Sequence, residues 1–190
     1  MMAVRSSTVP PRQQLLETAS RLFYREGINS VGVDRILKEA DVTRATLYRH
    51  FAGKEALVVA YLQREDELMR AAFTEGHNRA VSPDHRLELA IEAIAEDAYT
   101  RHTGGCPFIR ATGEFADPDN PVRRTARTHR AWFRDELRRI LAEAGRDDLD
   151  NKVATLMMLR DAVLVSGYFD DKDTARQIFT RTARRVAGLP

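Results

Sequence analysis

An all-α fold is predicted for this chain of 190 residues, with an N-terminal three-helix unit followed by a larger helical region. Three observations carry that reading. Apolar residues recur at spacings of three and four along the chain, and no run alternates long enough to suggest a strand. Residues 33–54, VDRILKEADVTRATLYRHFAGK, read as two short amphipathic helices hinged at Ala40-Asp41-Val42, a helix-turn-helix. Residues 149–169 are apolar almost all round, and such a helix needs cover on more than one side.

The first ten residues are small, polar and proline-ended, and are expected to form a flexible arm. A first helix is expected from Pro11, where proline suits the opening turn, to Glu26, with Gly27 as its stop. Its stripe of Leu15, Ala19, Leu22 and Phe23 should pack under the helix-turn-helix. In the motif itself, Val33, Ile36, Leu37 and Ala40 make one apolar face. Asp41 supplies the turn, because aspartate tolerates left-handed backbone. Val42 plugs the corner, and Thr43 is placed to cap the next helix. Leu47 and Phe51 then turn inward, leaving Arg44, Ala45, Thr46, Tyr48 and Arg49 outside.

That outer surface is polar and basic, and suits a DNA major groove. Arg44 and Thr46 are the expected base readers, since arginine pairs bidentately with guanine and a threonine methyl meets thymine. Thr43, Tyr48 and His50 are expected at phosphates. Lys54 follows Gly53 at a helix start, where free amides and an ammonium together suit an anion, and it is the first choice for a backbone phosphate. Arg5, in the arm, is available for a nonspecific DNA contact.

A long helix from Lys54 to His77, carrying Leu57, Tyr61, Leu68 and Phe73, is expected to link two domains. Pro83, Gly104-Gly105, Pro118 to Pro121 and Gly145 punctuate the remainder. The expected division is an arm at 1–10, a DNA-binding domain at 11–57 and a second domain at 58–190.

The run Leu15, Ala19, Leu22, Phe23, Gly27, Val33, Ile36, Ala40, Val42, Thr43, Thr46, Leu47, Tyr48, His50, Phe51, Lys54 and Leu57 resembles the TetR/AcrR family of one-component transcriptional regulators. The match covers roughly the first third of the chain. Gly32 departs from the family's Thr or Ser, so a hydroxyl contact to phosphate is lost there, and Asp41 stands where the family has Gly. The resemblance implies an all-helical homodimer whose C-terminal domain binds a small-molecule inducer and dimerises through its last two helices. Val163, Leu164, Ile178, Phe179, Thr182 and Val186 are the expected dimer contacts.

For the inducer, the informative cluster is GGCPFIRATGEF at 104–115 with His129, Trp132 and Phe133 on the following helix. Aromatic walls with a few polar groups are what small-molecule pockets use. Phe73, Phe108, Arg110, His129, Trp132, Phe133 and Met157 are the candidate lining. Arg110 and Glu114, four apart, can equally form a surface ion pair, and Met157 and Met158 have core spacing.

Formal charge is +2, but it is unevenly placed. Residues 1–64 hold ten Lys or Arg against six Asp or Glu, and the rest hold twenty against twenty-two, so the basic end is the proposed DNA end. One cysteine, Cys106, permits neither an intrachain disulfide nor a multi-cysteine zinc site. No metal or cofactor is expected. The opening MMAVRSSTVPPR has no apolar signal core and no run of about eighteen apolar residues exists, so a cytoplasmic protein without membrane association is expected. The leading reading is a repressor that binds a palindromic operator in double-stranded DNA as a homodimer and is released by an inducer. A thiol-responsive regulator sensing oxidants through Cys106 is the alternative, and an enzyme using Cys106 with His129 the remote one.

Overall fold

The computed structural model describes residues 9–190, so Arg5 and most of the N-terminal arm lie outside the described residues. The first three helices are α1 (Pro11–Glu26), α2 (Val33–Ala40) and α3 (Arg44–His50). Leu15, Ala19, Leu22 and Phe23 of α1 are buried as their spacing requires, against Ile36, Leu37 and Leu47 of the motif. Helix α1 begins on Pro10-Pro11 and ends at Gly27, whose φ of 89° lets its N–H close onto the Phe23 carbonyl. Asp41 adopts left-handed backbone (φ 52°, ψ 47°) and ends α2. Thr43 then caps α3, its hydroxyl accepting from the Thr46 N–H at 3.2 Å. Phe51, 5% exposed, closes the unit beneath Leu47.

Helix α4 (Lys54–Arg79) runs unbroken through the expected domain boundary at residue 57. It packs on α1 at one end and on α5 (Pro83–Glu96) and α7 (Pro121–Glu143) along the rest. Leu57, Tyr61 and Phe73 are buried on it as expected, whereas Leu68 is exposed and Met69 takes the inward position. Ser82 caps α5, accepting from the His85 N–H, and a π-type turn, Asp97–Arg101, ends that helix before the Gly104-Gly105 bend. Helix α6 (Pro107–Glu114) is short and lies between α4 and α7.

The last pair, α8 (Leu149–Ser166) and α9 (Lys172–Ala187), pack on each other and on α7 and α5 respectively. The apolar run stops being helix at Ser166, so Tyr168 and Phe169 fall in the connecting turn and are exposed. No strand occurs among the described residues, and no helix there is long and apolar enough to cross a membrane.

Candidate DNA-binding interface and ligand cavity

Helix α3 presents its surface in a fixed order. At about 100° per residue, with Leu47 pointing into the core, Ala45 and Arg49 lie opposite, flanked by Arg44 and Tyr48 on one side and by Thr46 and His50 on the other. Ala45, Tyr48, Arg49 and His50 are exposed and Thr46 is half-buried. The hydroxyls of Thr43 and Thr46 lie 2.9 Å apart, so each has a local partner. The Arg44 guanidinium is exposed and ion-paired with Asp34 of α2. Exposed pairs of this kind contribute about 0–1 kcal/mol, so this pairing leaves the guanidinium available to another acceptor. Lys54 stands half-buried on the first turn of α4, and burial lowers its pKa while the charge of Glu114 opposes the shift. Gly32 precedes α2 in extended backbone with no side-chain cap, as its identity requires, and a Cβ placed there meets nothing within 4 Å.

A cavity of about 240 Å³ opens between α6, α7 and α8. Phe108, Ile109 and Ala126 give it an apolar surface, Cys106, Thr112 and His129 add to the wall, and four arginines complete it: Arg123, Arg127 and Arg130 from α7 and Arg160 from α8. Of the seven residues expected to line a pocket, Phe108 and His129 do so. Phe73, Trp132 and Phe133 form an edge-to-face aromatic cluster between α4 and α7, with centroids 5.4 to 5.9 Å apart, outside this cavity. Met157 is 3% exposed and belongs to the core. Residues one turn apart share a helix face, but that face of α7 meets α4, and the cavity lies toward α6 and α8. The arginines missed by sequence reasoning had a signal: 123, 127 and 130 recur at helical spacing, and Arg160 interrupts an otherwise apolar run.

His129 is 2% exposed and stacks on Phe108, with ring centroids 3.8 Å apart and planes within 1°. Its Nδ1 lies 2.7 Å from Asp66 and its Nε2 3.3 Å from an Arg160 nitrogen. Burial pushes its pKa down to about 4; Asp66 opposes the shift and the charge of Arg160 reinforces it. At neutral pH the ring is therefore uncharged, donating from Nδ1 to Asp66 and accepting at Nε2 from Arg160. Both ring nitrogens thus have partners, Asp66 at Nδ1 and Arg160 at Nε2.

The opposite side of α6 grips the N-terminal three-helix unit. Glu114 accepts from the backbone N–H groups of Ile28 (2.8 Å) and Asn29 (2.5 Å) in the α1–α2 turn. Arg110 donates to the carbonyls of Tyr24 (2.5 Å) and Gly104 (3.2 Å), and its guanidinium lies over the Tyr24 ring at 5.2 Å. The Tyr24 hydroxyl accepts from Gly104 N–H at 2.8 Å and donates to the Gly105 carbonyl at 3.2 Å. Arg110 and Glu114 thus form neither a pocket wall nor a pair with each other. Each reaches α1 or the turn behind it.

At the other end, α8 and α9 carry an exposed apolar face. Val163, Leu164 and Phe179, expected at a dimer contact, are 2–7% exposed and point into the subunit's own core. Ile178 is exposed, and Thr182 and Val186 are half-buried. The outward stripe on α8 instead runs through Ala154, Met158, Ala162 and Val165 to Phe169 in the turn. Met158, given core spacing above, is 70% exposed and Phe169 84%. A helix apolar all round offers two faces, and its sequence does not label which one the subunit keeps.

Comparison with known proteins matches both halves. Residues 15–61 fit the family model "Bacterial regulatory proteins, tetR family", and residues 83–164 fit "Tetracyclin repressor-like, C-terminal domain". The solved structure of SCO4454, a TetR-family transcriptional regulator from Streptomyces coelicolor, is 39% identical. The match covers 94% of each chain at a TM-score of 0.89. A putative TetR-type regulator from Streptomyces avermitilis is 25% identical, with 96% of this chain and 100% of that one covered at a TM-score of 0.77. An HTH-type transcriptional regulator of Bacillus subtilis, YxaF, is 24% identical over 166 residues, 85% of this chain and 87% of that protein.

Proposed function

Because the chain belongs to the TetR family of transcriptional regulators and is a DNA-binding regulator, we propose that it is a repressor released from a palindromic operator by a small-molecule effector. The dimer forms through the exposed face of α8 and α9, so that two copies of α3 enter successive major grooves about 34–36 Å apart. Arg44 and Thr46 read base edges, with Ala45 and Arg49 at the centre of the approaching surface. Thr43, Tyr48, His50 and Lys54 hold phosphates.

One observation supports the regulated version above a constitutive DNA binder. Helix α6 has Phe108, Ile109 and Thr112 on the cavity and Arg110 and Glu114 on the DNA-binding unit. A ligand that displaces α6 by a fraction of an ångström strains the bonds to Ile28, Asn29 and Tyr24, and so biases the position of α1 and the motif resting on it. That is a coupling between two sites through one element. Trp132 reports on it, because its ring lies 5.8 Å from the cavity residue His129. Titration of candidate compounds should change Trp132 emission and operator affinity at the same concentrations. Compounds that fill the cavity without altering operator binding would contradict the reading.

A thiol-responsive mode keeps one observation in its favour, since Cys106, though 2% exposed, lines the cavity wall. Operator affinity unchanged by peroxide would eliminate it.

A further inference from the structure

The cavity's walls are unbalanced in charge, and this identifies the kind of molecule it suits. Four guanidinium groups line it, and among the described residues Asp161 is the carboxylate in ion-pair contact with any of them. Arg130 takes both oxygens of Asp161, at 3.1 and 2.7 Å, while Arg160 reaches it at 3.4 Å. Among the described residues, Arg123 and Arg127 hydrogen-bond main-chain carbonyls, of Phe115 at 3.0 Å and Pro118 at 2.5 Å, and form no ion pair. His129 is held uncharged, and Asp66 on its far side is already bonded to Arg70 at 2.7 Å.

Arg160 is the decisive group. It is 4% exposed, lines the cavity, and its Nε has no hydrogen-bond partner among the described residues. Its remaining neighbours are the neutral His129 ring and the face of Phe133, 4.7 Å away. A buried cation short of acceptors is costly, and an anion beside it supplies what is missing. A guanidinium fork matches a carboxylate in shape as well as charge. The volume admits on the order of ten non-hydrogen atoms at roughly 20–30 Å³ each, and Phe108, Ile109 and Ala126 offer an apolar surface for them.

We propose that the effector is a small organic carboxylate, its charged end held by Arg160 with Arg123 and Arg127 toward the open side, and its apolar body, of about aromatic-ring size, laid on Phe108, Ile109 and Ala126. This rests on reading the cavity as the effector site.

The test uses the full-length protein and matched pairs of probes: benzoate, phenylacetate, 3-phenylpropanoate and hexanoate, each beside its neutral amide, with binding measured by calorimetry and operator release in parallel. At least one acid is expected to bind ten-fold or more tighter than its amide and to release DNA. Arg160→Met should bring that acid down to the affinity of the amide while leaving the amide unchanged. Should Arg160→Met fail to fold, the Arg123→Gln, Arg127→Gln double variant, on half-buried and exposed positions, should narrow the gap. Amides that bind and release DNA as well as their acids overturn the carboxylate assignment and leave the cavity as effector site. If no acid binds, the assignment is equally overturned, and the effector site itself is judged separately by Ala126→Phe, which fills the cavity. Unchanged operator affinity in that variant removes the site as well.

Discussion

His129 and His102 are both buried and both bonded to carboxylates, yet they titrate in opposite directions because their remaining neighbours differ. His129 faces the charges of Arg160 and Arg70, and burial holds its pKa near 4. His102 is also opposed by burial, but Asp97 at 2.7 Å and Glu65 at 3.2 Å outweigh it and raise its pKa above 6.5. Between about pH 4 and 6.5 the unfolded chain binds a proton that folded His129 refuses, so stability contributed there falls as the medium is acidified. Charged His102 stabilises the fold below its unfolded pKa, and that contribution fades as pH rises through its raised folded value. Chemical unfolding across pH should show His129→Gln flattening the acid limb and His102→Gln the limb above 6.5. At the DNA surface, Lys54→Ala is expected to weaken binding to every sequence and to lower the salt slope by about one. Arg44→Ala should relax base preference at one position in each half-site. Asp34→Ala frees the Arg44 guanidinium and removes a negative charge, so it should tighten binding in a gel-shift titration. Equal losses on all sequences from Arg44→Ala would make that residue a phosphate anchor instead.

Helices whose ends are set by local chemistry were legible: the Thr43 cap, the left-handed Asp41 and the proline start of α1 are each dictated by one or two residues. The polar face of α6 was not. Arg110 and Glu114 stand four apart, which locally suggests an ion pair, but Glu114 meets amides 85 and 86 residues earlier in the chain, and no local pattern encodes that contact. Glu114→Gln replaces one of the two acceptor oxygens with an NH2 donor, which then faces the backbone N–H that oxygen had accepted from. Ligand affinity should persist in that variant while ligand-driven DNA release weakens several-fold, a split readable by running calorimetry and gel shifts side by side. The bend before α6 is equally constrained. Gly105 has φ 94°, and a Cβ there would lie 2.5 Å from the Tyr168 ring, whose hydroxyl donates to the Gly104 carbonyl. Gly105→Ala should therefore cost roughly 1–3 kcal/mol in thermal unfolding.

Across the whole molecule, the proposed recognition surface on α3, the arginine-lined cavity and the apolar α8–α9 face occupy three regions of one helical body; α6 links the first two, and α8 borders the cavity through Arg160. The cavity emerges only when α6, α7 and α8 come together, which is why a cluster of aromatic residues in sequence pointed to the neighbouring core instead. The outward stripe of α8 predicts that Met158→Asp with Ile178→Asp yields monomers in sedimentation and loses operator binding, since one half-site alone holds weakly. The proposed regulation requires the cavity and the DNA-binding unit to communicate through α6, and a double-mutant cycle in operator affinity measures this directly. On DNA selected from a random pool by the unmodified protein, Ala126→Phe, standing in for a bound ligand, should lower affinity ten-fold or more. In a Glu114→Gln background the same change should cost far less. An identical loss in both backgrounds, or no loss in either, would contradict coupling through α6.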